Sequence, residues 1–147
     1  MGGQPASRAA DVIVYVDHSD IHAGVVDELR ARVKRLVEFV EANAPRLLAY
    51  GFHIDEDAAR MTVTAVHPDS ASLEWHLEIG REEFRKLAPL ITLREIEVYG
   101  SVSDAARLML ERKAQMLGGT VTVTERSSGF GRIPIPGGRD GGPRRTG

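Results

Sequence analysis

HPDSASLEWHLEIGREEFRKLAPLITLREIEVYG, residues 67–100, holds a capped helix, the chain's one tryptophan, an adjacent histidine and a following strand. Asp69 or Ser70 is placed to accept hydrogen bonds from the free amides of a helix start. The helix then runs through Leu73, Trp75, His76, Leu77 and Ile79 to Gly80, a residue suited to end it. A second helical piece, residues 81–87, turns Phe84 and Leu87 inward and is closed by Pro89. Residues 91–99 read as a strand whose apolar phase shifts at Arg94 and Glu95, from Ile91 and Leu93 to Ile96 and Val98. That shift predicts a bulge.

Upstream, residues 11–16 form a strand, with Val12, Val14 and Val16 on one face and Ile13 and Tyr15 on the other. The polar DHSD segment reads as a turn, with Ser19 or Asp20 capping a helix over residues 22–43. Val25, Val26, Leu29, Val33, Leu36, Val37 and Val40 recur there at spacings of three and four, which gives one apolar stripe. Residues 46–54 and 60–67 then form a hairpin around the acidic turn DEDAA. The expected register sets Ile54 opposite Met61, Leu48 opposite His67 and His53 beside Thr62 on the opposite face. Downstream, Ser101 or Ser103 caps a helix over residues 104–117 that Gly118 and Gly119 stop, and residues 120–125 make a last strand.

The order β-α-β-β-α-β-α-β predicts an α+β fold: a ferredoxin-like βαββαβ unit with an added C-terminal helix and strand. Residues 11–126 make one domain. Residues 1–10 are expected to be a disordered arm and 127–147 a flexible tail rich in Gly, Pro and Arg. Strands apolar on both faces need cover on both, and a second copy packed sheet to sheet supplies it. The expected assembly is therefore a homodimeric α+β barrel, with the fifth strand or residues 129–136 reaching across to the partner.

Charge and composition remove several functional classes. The net charge of −2, with both signs interspersed, argues against nucleic acid and membrane surfaces as partners. The absence of cysteine excludes disulfide scaffolds, thiolate catalysis and thiolate-bound metal. No secretory apolar run and no stretch near the roughly 20 residues of a membrane span is present, so a cytoplasmic location is expected. GFGR at residues 129–132 does not join a strand to a helix, and no phosphate-binding loop occurs, so no nucleotide cofactor is expected. His18 and His22, with Asp17 and Asp20, have ligand-like composition, but no third ligand is aimed there; capping and solvent exposure explain them, and no metal is expected.

On residues 67–99 the chain resembles the antibiotic biosynthesis monooxygenase-like domains of the dimeric α+β barrel superfamily, and in element order the likeness extends over residues 11–100. In those domains a strand leads through a polar capped turn to a helix ending in histidine, then to a second helical piece and a strand with a terminal aromatic. His76 matches that histidine, Phe84 the aromatic after it, and residues 96–99 the closing strand. The resemblance implies a dimeric barrel and, among its varied activities, cofactor-independent oxygenation of an aromatic or polyketide-like compound. The haem-degrading branch is disfavoured: it uses an Asn on the first strand and a Trp well upstream of its His, whereas here the strand is VIVYV and Trp75 adjoins His76.

His76 is the candidate catalytic base. A neutral imidazole can take a proton from a phenolic substrate and leave an anion that reacts directly with oxygen. Tyr50, His53, His67 and Trp75 are the candidate substrate-binding residues, with Tyr15 on a strand that lines the same space. Tyr50 and His67 share a face and lie near the start of the His76 helix. Trp75 and His76, as helix neighbours about 100 degrees apart, do not face one pocket squarely. The alternative is a non-catalytic dimeric barrel that binds a hydrophobic ligand or serves as an assembly module.

Overall fold

The computed structural model describes residues 11–132. The expected arm and all of the expected tail beyond residue 132 lie outside them. Eight elements follow in order: β1 (Ile13–Ile21), α1 (Val26–Asn43), β2 (Ala49–Asp55), β3 (Arg60–His67), α2 (Ser70–Arg85), β4 (Ile91–Tyr99), α3 (Asp104–Leu117) and β5 (Thr120–Thr124). The strands form one five-stranded sheet ordered β2-β3-β1-β4-β5. The first four are antiparallel neighbours, as the split βαβ reading predicts, and β5 lies parallel to β4. A parallel neighbour needs a crossover, which α3 provides. β5 therefore closes this chain's own sheet edge, where the sequence suggested that it would reach to a partner.

The helices cover one face. Leu29, Leu36 and Val40 of α1, Leu73 and Phe84 of α2, and Leu110 and Leu117 of α3 are buried against Ile13, Met61, Val63, Leu93, Ile96 and Val98. Each such side chain contributes roughly 1.5–3 kcal/mol by leaving water. The hairpin register is the expected one, with Ile54 opposite Met61 and His53 opposite Thr62. The bulge is also found: His18 opposes Glu95 and Ser19 opposes Leu93, which leaves Arg94 extra. Asp69 caps α2 by accepting from Ser72 N–H, Ser103 caps α3 through Ala106 N–H, and Gly118 ends α3 at a φ of 97°.

Two readings fail, each for a physical reason. DHSD is no turn: it forms the second half of β1, where burial alternates strictly through Asp17 and Ser19 to Ile21. Its polar residues obey the period of two, with Asp17 meeting Tyr15 and Lys113 inside, while α1 starts later, at Val26, with no side-chain cap. Gly80 does not stop α2, which continues to Arg85. A Cβ on Gly80 would stand 2.4 Å from Phe84 Cζ. The glycine is there to admit the Phe84 ring.

The sheet's other face is less apolar than the strand pattern suggested. Val14, Val16 and Val66 are half-buried there and Tyr99 is exposed, all at one end. The opposite end is polar, with His18 bonded to Glu97 at 2.9 Å and Asp20 paired with Arg60 and Arg94.

Candidate functional site

The alternation of β1 sends Tyr15, Asp17 and Ser19 into the space between sheet and helices, where all three are buried. α3 meets them with Lys113. Ala106, Leu110, Ala114 and Leu117 form the helix's buried stripe, and Lys113 stands on its margin with only 10% of its side chain exposed. Lys113 Nζ donates to the Tyr15 oxygen at 2.8 Å, and the Tyr15 hydroxyl donates to Asp17 Oδ2 at 2.5 Å. The ammonium lies 3.8 Å from the same carboxylate oxygen and 4.0 Å from the centroid of the Phe84 ring. A desolvated cation over an aromatic face is favourable, so Phe84 helps to hold the charge.

Burial sets the electrostatics. It raises the Asp17 carboxyl above the usual carboxylate range, against the opposing pull of Lys113 and the Tyr15 hydrogen bond. The same desolvation lowers Lys113, with Asp17 opposing. Tyr15 is raised well above an ordinary phenol by burial first and by Asp17 second. The carboxylate is thus a stronger base than one in water, with an acid beside it. A cavity of about 10 Å³ touches Asp17, Ser19, Tyr50, Phe84 and Lys113. Ser19 Oγ, at its wall, has no hydrogen-bond partner within the described residues.

A second buried polar group adjoins the first. His76 is 2% exposed, and its ring is enclosed by Tyr50 at 5.1 Å, His67 at 5.3 Å and Phe84 at 5.4 Å between centroids. His67 Nδ1 and the Ser72 hydroxyl share a hydrogen bond of 2.9 Å. His67 Nε2 and His76 Nδ1 have no partner within the described residues. Desolvation pushes His67 down to about 4, and desolvation, with Lys113 and His67 nearby, holds His76 well below the ordinary imidazole range. Both rings are neutral at physiological pH.

Of the residues singled out in the sequence, Tyr50 and His67 both pack against His76. Tyr50 lines the inner cavity, but His76 is not among the lining residues: it sits behind Tyr50 and Phe84. His53 and Trp75 lie elsewhere. His53, exposed on the opposite sheet face, contacts Thr64 Oγ1 at 3.1 Å. Trp75 is half-exposed on the outer side of α2, where Nε1–H donates to the Asn43 carbonyl at 2.7 Å and ties α2 to the end of α1. His18 and His22 bond to Glu97 and Thr62 and to Pro89 and Thr92, respectively, and no cluster of three His, Asp or Glu fit to hold a metal occurs among the described residues.

The sequence reading placed Asp17 and Ser19 in an exposed turn, as a ligand-like residue and a cap, and did not single out Lys113. Two signals were available: the period of two that continues from Tyr15 to Ile21, and a lysine three residues after Leu110 beside an apolar stripe.

No protein-family model matches the chain, and no curated protein matches it in sequence. Solved structures do match in fold. MupZ from Pseudomonas fluorescens is 18% identical with a TM-score of 0.64, over 82% of this chain and 94% of that one. That share of this chain is larger than the residues before α3 can supply, so the likeness extends into the C-terminal addition. SnoaB, a cofactor-independent oxygenase from Streptomyces nogalater, is 16% identical with a TM-score of 0.53, over 64% of this chain and 96% of that one. A candidate antibiotic biosynthesis monooxygenase from Caulobacter crescentus is 17% identical with a TM-score of 0.56, over 65% and 94% of the two chains. At these identities the likeness is one of fold. With its sheet order, its helix-covered face and these neighbours, the chain has the fold of an antibiotic biosynthesis monooxygenase-like domain, extended by α3 and β5.

Proposed function

We propose that this chain is a small-molecule enzyme, a cofactor-independent oxygenase of an aromatic or polyketide-like compound. The observation that carries the reading is the buried Asp17–Tyr15–Lys113 chain, whose ends Asp17 and Lys113 line a cavity between sheet and helices. Asp17 takes a proton from a phenolic hydroxyl or an activated methylene, and Lys113, Ser19 and Tyr50 hold the anion that results. Proton removal makes the substrate electron-rich enough to meet dioxygen directly. For a methylene the balance is CH2 + O2 → C=O + H2O, with all four electrons drawn from the substrate. In this reading His76 is a positioning residue: its ring braces Tyr50 and Phe84.

The test is oxygen consumption against a panel of phenols and anthrone-like methylenes, wild type beside Lys113→Met. A hit whose rate falls at least 100-fold in the variant, under conditions where its circular dichroism shows it folded, supports the reading. Full turnover without the amine would sink it.

A second reading, a ligand-binding barrel without turnover, draws on the inner cavity's size: about 10 Å³ is room for roughly one water. It predicts saturable ligand binding with no oxygen uptake for any compound bound. We also propose a homodimer through the outer sheet face, at the end bearing Val14, Val16, Val66 and Tyr99. Sedimentation at micromolar concentration tests it, and a stable monomer would refute it.

A further inference from the structure

A cleft of about 520 Å³ lies between α2 and α3, with Leu77, Met109 and Met116 among its apolar walls. Phe84 and Lys113 line both this cleft and the inner cavity. The Phe84 ring, with the Lys113 ammonium 4.0 Å from its centroid, is thus shared by the two spaces. The charge around the cleft is uneven. Arg81, Arg85, Arg112 and Lys113 line it against one acid, Glu78. Arg85 is already engaged by Glu82 at 3.5 Å. Arg81 and Arg112 are exposed, one on each helix, and neither forms an ion pair or hydrogen bond with a described residue.

We propose that the cleft binds an apolar small molecule bearing a carboxylate, the carboxylate held by Arg81 and Arg112 and the apolar body laid over Met109, Met116 and Phe84. Guanidinium forks match carboxylate geometry, and two of them on the two helices that wall the cleft give an anion a defined place in it. The thioether side chains adapt to an irregular apolar surface. Phe84 and Lys113 line the same cleft, so the inference names the substrate class and rests on the proposed reaction.

The chain's four methionines make the test site-specific, since Met109 and Met116 line the cleft while Met61 lines the inner cavity. The full chain, labelled with ¹³C at the methionine methyls, is titrated with octanoate and with octanamide. Octanoate should move the Met109 and Met116 signals with a Kd at least ten-fold below that of octanamide. Arg81→Gln/Arg112→Gln should abolish this preference and leave the octanamide Kd within two-fold. An unshifted Met61 signal in the ligand-free variant certifies the fold, and Arg112→Gln alone, expected to lose part of the preference, serves if the double variant fails that check. Equal affinity for acid and amide, a preference that survives the substitutions, or unmoved Met109 and Met116 signals would each overturn the proposal. Turnover is not read, so this result and the oxygen-uptake result fail independently.

Discussion

The interior contains two buried polar groups that solve the same problem in opposite ways. Asp17 and Lys113 face each other as acid and base 3.8 Å apart and share Tyr15 between them, at a cavity wall. His67 and His76, one layer behind, are neutral and keep one ring nitrogen each without a partner. Burial of a charge requires a partner, whereas an imidazole escapes the requirement by shedding its proton. The proposed function accordingly gives proton transfer to the Asp17–Lys113 pair, although the histidines are the residues that sequence reasoning selects first.

The largest expected effect breaks the charged group. Lys113→Met leaves Asp17 buried without its cation and should destabilise the fold by about 3–5 kcal/mol at neutral pH in urea unfolding. Asp17→Asn/Lys113→Met should recover most of that loss, because no unpaired charge remains. A single-variant loss below about 1 kcal/mol would mean that the pair is not ionised.

Acid should break the neutral group next. The folded state holds His67 at about 4, below the ordinary imidazole value of 6.5, so the unfolded chain binds more protons between them. The stability is fully present above about 6.5, falls with pH through that window and levels off below about 4 for this group, a change of roughly 3 kcal/mol. His76, also depressed, acts in the same direction. Thermal melts from pH 7 to pH 4 should show the decline, and His67→Gln should flatten it. An equal slope in the variant would assign the acid loss to other groups.

A smaller effect probes the wall between the groups. Gly80→Ala drives a methyl into the Phe84 ring, at 2.4 Å from Cζ. Overpacking of this kind costs about 1–3 kcal/mol, offset by about 1 kcal/mol from better helix propensity. Urea unfolding should show a net loss that Phe84→Leu relieves in the double variant. A net gain would mean that the ring moves aside freely.

Much of the frame was legible because it rests on local rules. Alternation fixed the hairpin register, a phase shift at Arg94 and Glu95 marked the bulge, and short polar side chains narrowed the caps to Asp69 or Ser70 and Ser101 or Ser103, of which Asp69 and Ser103 serve. Composition misled at two places. A run of four polar residues looked like a turn, yet they continue the strand, with Ser19 buried and Asp17 facing inward to Lys113. A glycine looked like a helix stop, yet a ring one turn away needs its missing side chain. The site was half legible for the same reason. Tyr50, His67 and His76 follow from strand faces and helix order, whereas the Lys113–Asp17 contact joins residues that only the closed fold brings together.

The most direct test compares one substitution in each buried group, Asp17→Asn and His76→Leu, on the compound that gives the highest oxygen uptake with wild type. With both variants shown to be folded, Asp17→Asn should lower kcat at least 100-fold and His76→Leu less than ten-fold. The reverse order would return the catalytic role to His76 and contradict the assignment of proton transfer to Asp17 and Lys113.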